Sequence, residues 1–460
     1  MVKGKGLRKD SSSLKTKRQY SPRYLAVNLL HRVATAGSYA NIALDQLIAQ
    51  TALTGRDTAL LTNLVYGVIQ RQLTLDFYLR PFIKKPNRLQ DWVKQDLRVA
   101  VYQMVYLTKI PDRAIFYEAA EVAKAKNRGA AGFVTAVLHQ IQRQGLPDLN
   151  KIKSPLQRLS VSASVPQWLV EKLIDQLGKT KTSAILKTIN QPPAASLRVN
   201  TAVTSVEKVQ TQLAALDLST KVSALSAVGL VRQGGFLAGT SLFKEGAYTL
   251  QDESSMLVAS SMRLQPHHQV LDVCAAPGGK TTHIAALLSK AAGGHVTAFD
   301  LCPHKIKLLQ QNARRLQVAD LISAHVGDAR HLDFVVPDQH FDRVLVDAPC
   351  SGLGLMRRKP EIKYARQPAD LMNLQQLQLE IINQAALKVK PGGILTYSTC
   401  TIVNEENQAV IAQFLQQHPE FTPLPVQTDH PLKVATTPYL KLYPDDYGTD
   451  GFFICNLKRK

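Results

Sequence analysis

Val270-Leu271-Asp272-Val273-Cys274-Ala275-Ala276-Pro277-Gly278-Gly279-Lys280-Thr281 reads as an apolar strand, a glycine turn and the first turn of a helix. A phosphate-binding P-loop requires glycine where Cys274 stands, so the motif is not one. What remains lets backbone approach a ligand and aims amides at a carboxylate or phosphate, or is a plain strand-to-helix turn. Outward from it the same alternation repeats. His295-Val296-Thr297-Ala298-Phe299 is a strand ending at Asp300, a helix carries Ile306, Leu308, Leu309 and Leu316, and Leu321 to Val326 is a strand ending near Asp328. Two more apolar runs, Arg343-Val344-Leu345-Val346 and Gly393-Ile394-Leu395-Thr396, close the series. Strand, turn and helix in regular alternation predict an α/β domain over 246–460 with a mostly parallel, doubly wound sheet.

In such sheets ligands bind outside the carboxyl ends of the strands, and chemistry-bearing residues collect there. Asp300 lies about twenty residues past the glycine turn, where dinucleotide-binding sheets place an acid for ribose hydroxyls. With Asp328 at the next strand end, the set describes a pocket for an adenine nucleoside; each aspartate alone reads equally well as a helix cap. Cys350 in Asp347-Ala348-Pro349-Cys350-Ser351-Gly352 and Cys400 in Tyr397-Ser398-Thr399-Cys400-Thr401 follow the last two strands. Two thiols and a carboxylate so placed face a substrate, and a thiolate beside cations is a nucleophile. The run Met356-Arg357-Arg358-Lys359 supplies such a field, holds phosphates, or is a solvated face. Cys274, Cys302 and Cys455 also read as small buried hydrophobes.

The chain has 460 residues, enough for two or three domains, and 56 basic against 35 acidic residues, a formal charge of +21. That surplus favours a polyanionic partner, most plausibly nucleic acid. The five cysteines form no CxxC pair, which argues against a zinc site or a disulfide framework, and no metal is expected. Neither a signal peptide nor an apolar run long enough to span a membrane is apparent, so a cytoplasmic protein is expected. Residues 1–20, rich in Lys, Arg and Ser, are expected to form a disordered basic arm that touches RNA or stays solvated; an organelle transit peptide shares the composition, but the arm lacks an apolar stripe.

From Ser21, a helix cap followed by Pro22, apolar residues recur at helical spacing. The stripes Leu60-Leu61-Leu64-Val65-Val68, Leu97-Val101-Met104-Val105 and Phe133-Val134-Val137-Leu138 predict an all-helical bundle over 21–145, with the stripes as core. Gly145-Leu146-Pro147-Asp148 marks a break. Residues 146–245 mix a helical pattern at Val165 to Val170 with the strand-like Ser196-Leu197-Arg198-Val199-Asn200 and read as a small α+β module.

The ordered motifs VLDVCAAPGGKT, AFD, GDAR, VDAPCSGLG, YSTCTIVNEEN and the closing GTDGFF resemble the RNA cytosine-5 methyltransferases that use S-adenosylmethionine. The helical segment resembles the NusB-like domain that precedes the catalytic part in one branch, the RsmB (Sun, Fmu) family acting on small-subunit ribosomal RNA. The resemblance implies a NusB-like helical RNA-binding domain before a Rossmann-like catalytic domain; a monomer is expected. It implies that Cys274, Ala275, Ala276, Pro277, Gly278, Gly279 and Lys280 line the methionine and ribose end of S-adenosylmethionine, that Asp300 holds its ribose, and that Asp328 contacts adenine. Asp347 is implied near the sulfonium and the target base, Cys400 as nucleophile and Cys350 in product release. Gln251 to Ser255 resembles the family segment before the cofactor sheet, and Leu197 to Thr201 one that meets RNA. Cys302, Asn404, Thr135 and His139 depart from the usual pattern, the last two bearing on RNA contacts of the helical domain. The alternatives are the same chemistry on transfer RNA, or a NusB-like RNA-binding or antitermination scaffold without activity.

Overall fold

The computed structural model describes residues 21–36, 40–235, 237–332 and 336–460; the basic arm expected over 1–20 lies outside them. The chain forms two compact units. One runs to Asn190 and also takes in Lys359–Ala365, while the other comprises Gln191–Arg358 and Arg366–Lys460.

The first unit is helical: α1 (Pro22–Ala36), α2 (Ala40–Gln50), α3 (Gly55–Gln70), α4 (Gln72–Leu79), α5 (Asp91–Tyr106), α6 (Asp112–Lys126), α7 (Arg128–Gln144), α8 (Pro155–Ala163) and α9 (Gln167–Thr188). Ser21 Oγ accepts the Tyr24 amide at 3.2 Å and so caps α1, with Pro22 in the first helical position. The predicted stripes supply the core: Leu61, Leu64, Val65, Val68, Leu97, Val101, Val134, Val137 and Leu138 are buried together. Phe133 departs from expectation at 41% exposure. The buried face of α7 is Ala131, Val134, Val137, Leu138 and Ile141, and Phe133 sits at its edge, one residue's rotation from the stripe. Packing extends past residue 145, since α8 and α9 belong to this unit.

The second unit holds two sheets. The smaller one, ordered β2-β3-β1-β4, is antiparallel and built from β1 (Ala195–Val199), β2 (Lys221–Val222), β3 (Gly229–Arg232) and β4 (Tyr248–Leu250). Helix α10 (Val206–Ala214) contributes Val209 and Leu213 to its core. Its fourth strand lies beyond residue 245, because Tyr248 to Leu250 pair with β1. Arg198 and Asn200, placed by sequence in an RNA-facing segment, are each 1% exposed. Asn200 Nδ2 donates to the carbonyls of Gly246 and Leu316, and Arg198 donates to Gln251 and Thr282, so both tie this module to the larger sheet.

The larger sheet is preceded by α11 (Glu253–Ser261) and comprises β5 (Gln269–Asp272), β6 (His295–Asp300), β7 (Ile322–Val326), β8 (Phe341–Asp347), β9 (Val389–Thr399), β10 (Phe421–Leu424), β11 (Leu440–Leu442) and β12 (Phe452–Arg459). Its order is β10-β12-β9-β8-β5-β6-β7, with β11 also on β12. Strands β5 to β9 pair in parallel, as expected, and β10 to β12 add an antiparallel edge. Helices α12 (Gly279–Ala285), α13 (Pro303–Arg315), α14 (Pro368–Leu387) and α15 (Gln408–Gln417) connect them. Ile306, Leu309 and Ala313 form the buried face of α13, and Leu308, in the same apolar run, is 37% exposed. Strand order reverses between β5 and β8, which makes their carboxyl ends the binding crevice.

Lys363 lies in the seven-residue stretch that joins the helical unit and is fully buried. Its Nζ donates to the Gln70 carbonyl (2.9 Å) and Asn190 Oδ1 (3.4 Å), both neutral. Burial, helped by Arg71, pulls its pKa from 10.5 to about 7. Between those values the unfolded chain binds a proton that the folded chain does not, so stability rises with pH from about 7 to 10.5, by about 1.4 kcal/mol per pH unit. The urea midpoint of the helical unit is expected to climb from pH 7.5 to 9, and Lys363→Met to flatten that climb; an unchanged slope in the variant refutes the assignment.

Candidate active site

The glycine turn is shaped by backbone that only glycine adopts without strain. Gly278 has φ +100°, and a Cβ there would come within 2.9 Å of Leu309 Cγ. The turn leads into α12 at Gly279, while Ala275 is buried against Ala298 and Leu309. Pro277 lies on the exposed side, its carbonyl accepting from Asn312 Nδ2 at 3.2 Å. Asp300 closes the turn from the next strand: its Oδ2 accepts the Ala276 amide (3.2 Å) and its Oδ1 the Cys302 amide (3.0 Å).

Beside the turn lies a cleft of about 420 Å³ lined by Cys274, Ala276, Asp300, Asp328 and Asp347, so five of the predicted positions meet there, while Ala275, Pro277, Gly278, Gly279 and Lys280 do not line it. Leu377 and Ile381 from α14 contribute apolar lining. Sequence reasoning missed both, since a helical stripe does not tell which residues leave the core for a cleft. Arg330, also missed, holds Asp328 in a fork, with Nε 3.0 Å from Oδ1 and NH2 2.6 Å from Oδ2. That hydrogen bonding draws the Asp328 pKa down to about 2. Behind the turn Asp272 is buried, accepts from Thr281 Oγ1 at 2.8 Å, and is pushed up to about 7 by desolvation. Cys274 and Cys302 are half-buried, and only Cys455 has the fully buried setting expected of all three.

Strands β8 and β9 are parallel neighbours with Asp347 opposite Ser398, so the loops that follow them emerge side by side. Cys350 Sγ and Cys400 Sγ lie 3.3 Å apart. The bond to Cys400, followed by burial, raises the Cys350 pKa well above the ordinary thiol value. Asp347 bridges the glycine turn to the thiols: Oδ2 accepts from Lys280 Nζ (2.7 Å) and Oδ1 from Ser398 Oγ (2.8 Å). Burial alone would lower Lys280, but Asp347 outweighs it and the net shift is upward, so the ammonium persists. Lys280 thus serves Asp347 and stands 5.1 Å over the Phe452 ring, a contact no local pattern announced.

The arginines after Cys350 are neither a solvated face nor free for phosphates. Arg357 donates to the carbonyls of Gly448 (2.6 Å) and Pro192 (2.9 Å). Arg358 is shared by two buried acids, Asp252 (2.7 Å) and Asp450 (2.9 Å). Burial and then Asp252 push Asp450 up to about 7, while Arg358 leads the groups that hold Asp252 below its usual value against its own burial. The segments carrying Gln251–Ser255 and GTDGFF are therefore joined by this arginine. Among the described residues, no three His, Cys, Asp or Glu side chains gather as a metal site, and no helix is long and apolar enough to cross a membrane.

A doubly wound sheet with a nucleoside-sized cleft at its switch point and strand-end thiols defines a Rossmann-like methyltransferase architecture, and solved structures agree. PH0851 matches with a TM-score of 0.82 and 27% identity over 95% of this chain and 99% of that one. NSun6 from Pyrococcus horikoshii with SFG shares the fold at a TM-score of 0.58 and 22% identity over 64% of this chain and 98% of that one. Three family models match in succession: the NusB family over 20–143, the RsmF/B-like ferredoxin-like domain over 165–234, and 16S rRNA methyltransferase RsmB/F over 259–458. The probable ribosomal RNA small subunit methyltransferase B of Bacillus subtilis is 42% identical over 96% of this chain and 99% of that protein. The chain belongs to the RsmB/F family of 16S rRNA methyltransferases.

Gly354 sets how closely the thiol loops approach. Its amide donates to the Cys400 carbonyl at 2.9 Å, and an added Cβ would lie 2.0 Å from the Gly451 oxygen and 2.7 Å from the Cys400 oxygen. Both obstacles are backbone, so Gly354→Ala is expected to cost about 2–4 kcal/mol and to separate the thiols. A lowered Tm together with lost methylation checks this; wild-type values in both refute it.

Proposed function

We propose that this protein transfers the methyl group of S-adenosylmethionine to carbon 5 of a cytosine in 16S ribosomal RNA through a covalent bond between Cys400 and carbon 6. The observation that carries the reading is the thiol pair, 3.3 Å apart, on the loops that follow β8 and β9, with Asp347 at the end of β8 lining the cleft. The cleft fits the cofactor chemically: Asp300 and Asp328 offer carboxylates to ribose hydroxyls and to an adenine amino group, and Leu377 and Ile381 offer apolar lining. The glycine turn, Cys274 to Lys280, would lie along the methionine and ribose. S-adenosylmethionine supplies an electrophilic methyl on its sulfonium.

Carbon 5 of cytosine is a poor nucleophile, which is why a thiol is needed. Cys400 Sγ adds to carbon 6, and the electrons released toward carbon 5 make it able to take the methyl. Negative charge that grows toward ring nitrogen 3 is offset by the Lys280 ammonium, which Asp347 positions while Ser398 holds the other carboxylate oxygen. Carbon 5 then carries both hydrogen and methyl. Removing that proton restores the double bond, and the electrons of the carbon–sulfur bond return to Cys400. We assign the proton to the Cys350 sulfur, which takes it as a thiolate once its own proton has passed to solvent. The largest cause of its raised pKa is its bond to Cys400, a cause that ends when Cys400 is bonded to carbon. The base reaches this site unstacked, at a cost of a few kcal/mol if it was paired. The helical domain is assigned to RNA binding, with the net charge of +21 supporting a polyanionic partner, and the enzyme to the cytoplasm as a monomer.

Incubating the protein with unmodified small-subunit ribosomal RNA and labelled S-adenosylmethionine tests this. Wild type is expected to place label in 5-methylcytosine, Cys400→Ala to lose it by roughly 10⁴-fold or more, and Cys350→Ala to leave a protein–RNA adduct on denaturing gels. Asp300→Ala is expected to weaken S-adenosylmethionine binding about 10- to 100-fold, measured by calorimetry. Label on transfer RNA alone would move the substrate, and no label with no cofactor binding would leave only an RNA-binding protein.

A further inference from the structure

Of the motif Tyr397 to Asn407, the mechanism uses the front and leaves the tail, Glu406-Asn407, without a task. Both side chains are fully buried. Burying a carboxylate is costly, and the hydrogen-bond partners of Glu406 are all uncharged. Its Oε2 accepts from the Ser351 amide (2.7 Å) and from Gln378 Nε2 (3.0 Å), and its Oε1 accepts from the Ser351 hydroxyl. Gln378 Nε2 also donates to the Pro349 carbonyl at 2.9 Å, so the residues on both sides of Cys350 are held through one carboxylate and one amide. The Thr401 hydroxyl, next to Cys400, lies 2.8 Å from Ser351 Oγ and also bonds Glu406. The two thiols are thus flanked by neighbours joined to each other and to Glu406.

Asn407 holds the other thiol alone. Its Oδ1 accepts from Thr399 Oγ1 at 2.5 Å and its Nδ2 donates to the Thr401 carbonyl at 3.1 Å, one bond on each side of Cys400. The Tyr397 hydroxyl donates to the Glu406 carbonyl at 2.7 Å and anchors the dipeptide to β9. The neighbouring residues therefore serve different sulfurs: Asn407 brackets Cys400, and Glu406 brackets Cys350 and sets it against Cys400.

We propose that Glu406 and Asn407 are positioning residues that act on different steps, Asn407 aligning Cys400 for addition to carbon 6 and Glu406 aligning Cys350 for the proton removal that releases the methylated base. The inference rests on the covalent reading above. In the release step Cys350, its own proton already passed to solvent, takes the proton from carbon 5 as a thiolate, the electrons of that bond form the double bond to carbon 6, and the carbon–sulfur electrons return to Cys400. Misplacing Cys350 leaves addition and methyl transfer in place but strands the adduct.

The test compares single-turnover methyl incorporation, adduct on denaturing gels and multiple-turnover rate in the full-length protein with small-subunit ribosomal RNA. Glu406→Gln keeps the shape but must set its NH2 either against the Ser351 amide and Gln378 or against the Ser351 and Thr401 hydroxyls, so a bond now donated to Glu406 is lost. It is expected to lower multiple turnover about 10- to 100-fold, to lower single-turnover incorporation far less, and to accumulate labelled adduct. Asn407→Asp, which turns a carboxylate toward the Thr401 carbonyl, is expected to slow adduct formation and turnover by the same factor, with no adduct accumulating. Thr401→Val removes one hydroxyl of the staple and should reproduce the Glu406→Gln pattern more weakly, whereas Thr401→Ser should restore release; this pair decides the matter if Glu406→Gln does not fold. Equal slowing of incorporation and turnover in Glu406→Gln, or wild-type release, overturns the proposal. If Cys350→Ala itself traps no adduct, the covalent reading falls instead.

Discussion

The parallel pairing of β8 with β9, Asp347 opposite Ser398, is the constraint on which the rest of the site depends. Neighbouring parallel strands lie about 5 Å apart and end on the same side of the sheet, so whatever follows them in sequence must meet. Two loops fifty residues apart in the chain are thereby brought to thiol–thiol contact. Backbone closes the distance further: Gly354 donates to the Cys400 carbonyl, and the Gly451 amide donates to Gly354. No side chain fits between those three segments, which is why glycines stand at both positions.

Around this backbone frame, charge is managed by pairing. Lys280 comes from the glycine turn but spends its charge on Asp347, linking the cofactor side of the crevice to the thiol side. Arg330 holds Asp328, two residues away and just past the end of β7, and Arg358 serves Asp252 and Asp450 together. Each pair is partly or wholly withdrawn from water, where removing one partner leaves an uncompensated charge and costs more than the pair itself contributes. Polar rigidity of this kind keeps reacting groups in place without reorganisation during the reaction. The helical unit shows the same logic in Arg98 held in a fork by Asp76, and an exception in Lys363, buried among neutral partners.

Much of this was legible in the chain. The strand, turn and helix alternation, the glycine turn, the aspartates at strand ends and the two thiol motifs are local patterns, each written within a few residues by periodicity and turn chemistry. The helical stripes were legible for the same reason, although periodicity names a face and not its limits, as exposed Phe133 and Leu308 show. Arg357 and Arg358 read locally as a basic run, and only their partners more than ninety residues away in Gly448 and Asp450 reveal them as internal ties.

The sequence by itself determined the fold class, the family motifs and which residue types stand at the strand ends, because backbone preference and apolar spacing act between near neighbours. Tertiary structure alone decided which of those residues meet: that Lys280 reaches Asp347, that Arg198 and Asn200 turn inward, that Glu406 and Asn407 divide the two thiols between them. Those contacts depend on strand order and register, which arise from pairing across long stretches of chain and leave no mark on any local pattern.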